Sequence, residues 1–176
     1  MATSVKEMAV QIITNPEFQK LQYIGGGKEY HNEGSAFVHS LLVFKNSFDI
    51  WAPGFMNIVA LLHDIGKIYT GRPKENGDWE YPNHAKIGAD NLYKFIPECY
   101  RGTAYEGNMN WFIANHIKPL FWTKYPEFCI ENVELARLAI CDLKGSYSAK
   151  PQTDKISFLQ SFINEYFIRK RKGELD

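Results

Sequence analysis

The stretch Ala60-Leu61-Leu62-His63-Asp64-Ile65-Gly66-Lys67 sets an imidazole beside a carboxylate directly after an apolar run. Neighbouring side chains on a helix diverge by about 100°, so His63 and Asp64 meet at one centre only if that centre lies beside the helix. A metal ion fits that place, and an imidazole with a carboxylate suits first-row transition ions such as Mn, Fe, Co, Ni or Zn. Lys67, four residues after His63, falls on the same helical face, within reach of an anion bound at the metal. Taken alone, the dipeptide also reads as a satisfied helix-end pair. One such pair cannot complete a coordination sphere, so further ligands must come from other elements.

The rest of the chain offers them. Of five histidines, His39, His63, His84 and His116 fall in separate predicted helices or at helix starts, at intervals of 24, 21 and 32 residues. Asp142 sits within the apolar pattern of a later helix. A carboxylate beside a core stripe costs several kcal/mol unless it is paired or metal-bound, which favours a ligand role. The elements that position these groups must therefore be helices whose ends meet around one polar centre.

The 176 residues suit a single domain, 1–176, able to bury roughly two-thirds of its unfolded surface. Twenty basic and twenty acidic residues balance to zero net charge, which argues against a broad nucleic-acid-binding face. Aromatic residues make up 15% of the chain and mostly recur at helical spacing, as core residues do. Cys99, Cys129 and Cys141 are odd in number, lack Cys-x-x-Cys spacing and read as reduced thiols. No stretch approaches 18 apolar residues and no basic segment precedes an apolar run at the N-terminus, so a cytoplasmic protein with no membrane partner is expected.

Along the chain, residues 3–14 carry helical spacing and end before Asn15-Pro16, and Pro16 suits a short helix through Leu21. Gly25-Gly26-Gly27 reads as a loop. Ser35 is a candidate cap for a long helix bearing His39 and ended by Pro53-Gly54, and Phe55–Ile65 forms the next, with His63-Asp64 near its end. Residues 72–81 hold Asn76-Gly77 between short extended runs and predict a small hairpin, with Lys67, Arg72 and Lys74 around it as an anion-facing lid or a solvated loop. Asn83 is a candidate cap for a helix that begins with His84 and closes at Pro97. Met109–Ile117 is a helix carrying His116 near its end, residues 120–130 read as irregular, and residues 131–144 are helical. Thr153-Asp154 starts a final amphipathic helix through Ile168, whose Arg169-Lys170-Arg171-Lys172 end suits the negative pole of its dipole. The expected fold is all-α, about seven helices with one small hairpin, and without a repeat or linker.

The order His39, His63-Asp64, His84, His116, Asp142 resembles the HD-domain superfamily of compact helical metal-dependent phosphohydrolases, over about residues 30–145. The local sequences Asn32–Val43, Ala60–Lys67 and His84–Ala89 are similar to the HD domain of bacterial CCA-adding tRNA nucleotidyltransferases, although the nucleotidyltransferase head is absent. The resemblance implies that His39, His63, Asp64 and Asp142 bind one divalent ion. It implies that His84 and His116 bind a second, with Asp64 bridging the two. It also implies hydrolysis of a phosphoester on a nucleotide or RNA end, a substrate class on which the similar domain acts as phosphatase and cyclic phosphodiesterase. In that reading metal-activated water attacks phosphorus, Lys67 neutralises phosphoryl charge, Arg72 assists, and Glu33 supports the ligands or moves a proton. No glycine-tyrosine-proline motif of the cyclic-di-GMP type follows.

Two other readings share the ligand set. HD proteins with four histidines and two aspartates include mixed-valent diiron oxygenases that cleave organophosphonates or polyols, and Tyr30-x-x-Glu33 resembles the substrate-gating pair of the phosphonate-cleaving members. A non-catalytic domain with a structural ion would need every coordination position filled by protein. The physiological substrate, the native metal and the oligomeric state are left open by the sequence.

Overall fold

The computed structural model describes residues 4–25, 33–121, 123–124, 126–147 and 152–175. The architecture is all-α with one small hairpin. Helix α1 spans Val5–Ile13, with Ser4 and Glu7 forming a reciprocal cap, and buries Met8, Ala9 and Ile12. Asn15 caps α2, Pro16–Gln19, which runs into a 3-10 turn at Lys20–Tyr23. Helix α3 is Ala36–Ser47, capped by the Ser35 side chain. It ends before the predicted Pro53-Gly54: the Trp51 amide returns to the Ser47 carbonyl in a turn that closes the helix early.

Helix α4, Phe55–Leu62, is the centre of the molecule, with Ile58, Val59, Ala60, Leu61 and Leu62 all fully buried. A helix apolar on every face must be surrounded, and α1, α3, α7 and α9 all contact it. Its start is tied to the end of α3 by buried Asn57, which accepts from the Gly54 amide at 2.7 Å and donates to Ser47 Oγ at 2.9 Å. That link sets the angle between the helices carrying His39 and His63.

Helix α4 stops at Leu62, three residues short of the predicted end. The chain turns through residues 63–66 into α5, Lys67–Thr70. The hairpin follows, β1 (Arg72–Pro73) antiparallel to β2 (Trp79–Glu80), with Gly77 at positive φ in the turn as the Asn-Gly pair predicts. Helix α6 is only His84–Asp90 and gives way to a 3-10 turn at Leu92–Lys94, so the predicted helix to Pro97 is broken in two. Asn83 begins it in the left-handed region without a side-chain cap, contrary to the expectation from its residue type.

Helices α7 (Ala104–Asn115), α8 (Pro126–Glu131), α9 (Val133–Gly145) and α10 (Thr153–Lys172) complete the fold. The segment expected to be irregular at 120–130 thus contains α8. Helix α10 packs on α9 through its own apolar cluster, including Ala136, Ile140, Leu159 and Ile163, and ends at Gly173 with φ 73°. Among the described residues, no helix is long and apolar enough to cross a membrane.

Candidate metal centre

The turn after α4 explains how adjacent residues serve one centre. Ile65, Lys67 and Ile68 donate to carbonyls three residues back, at 3.2, 3.0 and 3.2 Å, a 3-10 pattern in which residues i and i+3 eclipse. Lys67 is therefore aligned with Asp64 rather than with His63, and its Nζ lies 2.6 Å from Asp64 Oδ2. His63, the C-cap of α4, places its Nε2 3.3 Å from the same oxygen.

Two glycines let the neighbouring elements approach. A Cβ on Gly66 would lie 1.9 Å from the His84 carbonyl oxygen and 2.6 Å from the Gly88 amide, so only glycine permits the 63–66 turn to touch α6. On the opposite side, a Cβ on Gly145 would lie 2.6 Å from Val43 Cγ2, which sets the spacing of α9 on α3. His39 lies one turn before Val43 and Asp142 one turn before Gly145, so this contact brings the two together.

The result is two trios of possible ligand atoms, each within 4.8 Å of one another: His39, His63 and Asp142, and Asp64, His84 and His116. Asp64 joins them. Its Oδ2 lies 3.6 Å from His39 Nε2 and 3.3 Å from His63 Nε2, and its Oδ1 lies 3.4 Å from His84 Nε2 and 3.7 Å from His116 Nε2. Asp142 Oδ1 lies 2.9 Å from His39 Nε2 and 3.9 Å from His63 Nε2. The other four groups are buried, whereas the side chains of His84 and Asp142, one from each trio, retain 15% and 13% exposure and mark the open side.

All four imidazoles are held from behind. Nδ1 of His63, His84 and His116 bonds to the carbonyls of Ala60, Tyr81 and Ile113 at 2.8, 2.9 and 2.7 Å. Nδ1 of His39 faces Glu33 Oε1 at 2.9 Å. A carbonyl or carboxylate can only accept, so each Nδ1 carries a hydrogen, and a ring that is neutral turns its Nε2 lone pair to the centre, the arrangement found behind metal-ligating histidines.

This donor set fits a cation. His84 Nε2 and His116 Nε2 stand 3.3 Å apart. With both Nδ1 hydrogens committed, the neutral pair would oppose two lone pairs beside a carboxylate oxygen. His63 Nε2 is buried without a hydrogen bond. Its nearest carboxylate oxygen, 3.3 Å away, supplies charge but not bonding geometry.

The electrostatics follow from the same contacts. Burial alone would raise the Asp64 carboxyl, but His63 and Lys67 hold it well below the usual carboxylate range. Burial opposes ionisation of Asp142 too, and its hydrogen bond to His39 overrides that and keeps it ionised. Burial would lower His39, yet its bonds to Asp142 and Glu33 raise it to about 9. Burial pushes His84 down to about 4, with Asp64 offsetting only part of it. His84 is thus neutral at physiological pH and free to offer a lone pair to a cation, whereas His39 would have to shed a proton before it could do so.

Glu33 is not beside the open centre. Its fully buried carboxylate sits behind His39 and accepts the Tyr147 amide at 3.0 Å, so it orients the His39 ring and does not line the open side. Arg72 is also elsewhere: on the exposed hairpin its guanidinium pairs with Glu80, as does Lys74 at 4.0 Å. The pairing across β1 and β2 turns both cations to solvent. Tyr30 lies outside the described residues.

Tyr81, which sequence reasoning passed over, belongs to the site. Its ring lies beneath Lys67 Nζ, 4.7 Å from the centroid, and its carbonyl holds His84. Burial, reinforced by the charges of Asp64, Asp78 and Glu33, pushes its phenol above the ordinary value and keeps the hydroxyl a donor. A sequence signal was present in Trp79-x-Tyr81 three residues before His84, and the glycines of Asp64-Ile65-Gly66 and Ile87-Gly88 were equally open to a packing interpretation. No family model, no curated protein and no solved structure matches the chain.

Proposed function

We propose that this chain is an HD-type metal-dependent phosphohydrolase that attacks a phosphoester of a nucleotide or an RNA end with water. The observation that carries the reading is Asp64, with one carboxylate oxygen toward each histidine pair and Lys67 at 2.6 Å. His39, His63 and Asp142 would hold one divalent ion and His84 and His116 another, with Asp64 shared. Ions so held would supply water of lowered pKa and neutralise phosphoryl oxygens during displacement.

What the chain itself contributes is charge, orientation and access. Glu33, Asp64 and Asp142 against Lys67 leave two negative charges once His39 is neutral. Two divalent ions reverse that to two positive charges, so the loaded centre favours an anion such as a phosphoester. Lys67 brings a cation that needs no ion to hold it, aligned with the shared carboxylate. The carbonyls of Ala60, Tyr81 and Ile113 and the Glu33 carboxylate keep every imidazole turned toward the centre. The exposed edges of His84 and Asp142 give substrate a way in, and a catalytic site keeps such a position open.

The cysteines support a cytoplasmic setting, since Cys99, Cys129 and Cys141 are all unbonded. The test is a screen of nucleotides, phosphomonoesters and 2′,3′-cyclic phosphates with Mn, Co, Ni, Fe, Zn and Mg. Turnover with at least one metal, abolished in Asp64→Ala, is the expected result. No turnover with any of them overturns the hydrolase reading. Oxygen consumption by iron-loaded protein with an organophosphonate or polyol would move the centre to the oxygenase class.

A further inference from the structure

Tyr81 lies between β2 and α6 and belongs to neither trio, yet several contacts converge on it. Its ring face lies against the Lys67 ammonium, Nζ to centroid 4.7 Å, and the same Nζ is 2.6 Å from Asp64 Oδ2. Its carbonyl accepts the Nδ1 hydrogen of His84 at 2.9 Å. Its ring stacks on Trp79 of β2, centroids 6.4 Å apart and planes within 11°. Its hydroxyl donates to the Gly25 carbonyl, and Gly25 has no room for a side chain, since a Cβ there would lie 2.2 Å from Trp79 Nε1.

We infer that Tyr81 is a positioning residue: its ring holds the Lys67 ammonium against Asp64 while its carbonyl holds His84, coupling the hairpin to the centre. A lysine has a long flexible stem, and a single carboxylate leaves its ammonium free to swing toward water. An aromatic face beside it attracts the cation without competing for its hydrogen bonds. The stack on Trp79 and the tether to Gly25 fix that face from two directions. The hairpin thus acts on the site through an aromatic ring, although its own cations Arg72 and Lys74 point elsewhere. The importance given to Lys67 rests on the hydrolase reading, whereas its location does not.

The experiment measures acetylation of Lys67 in the metal-free 176-residue chain by a water-soluble acylating reagent, read by mass spectrometry. Lys86, whose side chain is 75% exposed, is the internal reference. Tyr81→Leu should raise the Lys67 rate about 3- to 30-fold and Tyr81→Phe by less than about twofold, as expected if a partly desolvated cation–π contact shields it. Equal rates in Tyr81→Leu and wild type overturn the inference, and so does a rise in Tyr81→Phe as large as in Tyr81→Leu. If Tyr81→Leu does not fold, Tyr81→Phe decides alone, because a ring that suffices must keep Lys67 slow. Where the wild-type chain turns over a phosphoester, kcat/KM should fall in Tyr81→Leu and be restored in Tyr81→Phe. A wild-type chain without turnover fails the hydrolase reading and leaves the acetylation rates to judge Tyr81.

Discussion

On the proposed reading Lys67 and a metal cation would compete for one oxygen, and Lys67→Met separates the two. In the metal-free chain the Lys67 ammonium is 2.6 Å from Asp64 Oδ2, with side-chain exposures of 8% and 3%. Breaking a buried pair by removing one partner costs about 3–5 kcal/mol, because the remaining charge is stranded. Methionine fills the space of the lysine stem, so the cost should be mainly electrostatic. For a chain of this size about 3 kcal/mol corresponds to a fall in Tm of roughly 6–12 °C. In a metal-loaded chain the ion would neutralise Asp64 instead, and the penalty should largely vanish. Metal binding in Lys67→Met is therefore expected to tighten by roughly 100-fold, the equivalent of about 3 kcal/mol, while phosphoester turnover drops by about that factor or more through loss of a cation at the phosphoryl group. The assay is competition for Zn or Mn against a chromophoric chelator, with thermal unfolding measured with and without metal. Weaker or unchanged metal binding in Lys67→Met would refute the competition argument, since a lysine that helps to hold the ion must lose affinity when removed.

Three further predictions follow from the same contacts. Asp64→Ala should lose both ions and all turnover, whereas His116→Ala should keep the ion held by His39, His63, Asp64 and Asp142; metal analysis after dialysis distinguishes them, and full metal content and rate in both His84→Ala and His116→Ala would leave only a mononuclear site. Because His39 is raised to about 9, above its ordinary value near 6.5, its ionic contacts stabilise the metal-free chain fully below about pH 6.5 and are lost as pH rises through about 9, by on the order of 3 kcal/mol. Metal binding must displace that proton, so affinity should rise up to about tenfold per pH unit between about 7 and 9, with proton release measurable in weakly buffered titrations. Gly66→Ala should separate α6 from the 63–66 turn, because its Cβ meets backbone atoms at 1.9 and 2.6 Å that cannot swing aside; the expected result is loss of His84-dependent metal binding, seen as one ion fewer, together with a lower Tm.

The metal-ligand candidates were legible because their chemistry is local to residue type. A carboxylate such as Asp142 in an apolar helical pattern, and a His63-Asp64 pair after five residues that end up wholly buried, stand out wherever they occur. Helical periodicity likewise announced α1, α3, α4, α9 and α10, and Asn76-Gly77 announced the hairpin turn. Residue type also proposed Arg72, by its charge and nearness in sequence to Lys67. Charge alone does not say which way a side chain turns, and Glu80 across the strand pair claims it.

Only the tertiary structure decided how the groups share the centre. That Asp64 gives one oxygen to each histidine pair depends on the chain leaving α-helical geometry at His63, where three-per-turn bonding aligns Lys67 with Asp64. That Glu33 stands behind His39, and Tyr81 beneath Lys67, depends on contacts between residues far apart in the chain or on different elements. The spacing of those elements is set where Gly66 meets α6 and Gly145 meets Val43. A sequence pattern records which side chains an element offers to its neighbours. Which atom of a carboxylate faces which imidazole depends on how closely the backbones approach, and that is determined only when the packed helices meet.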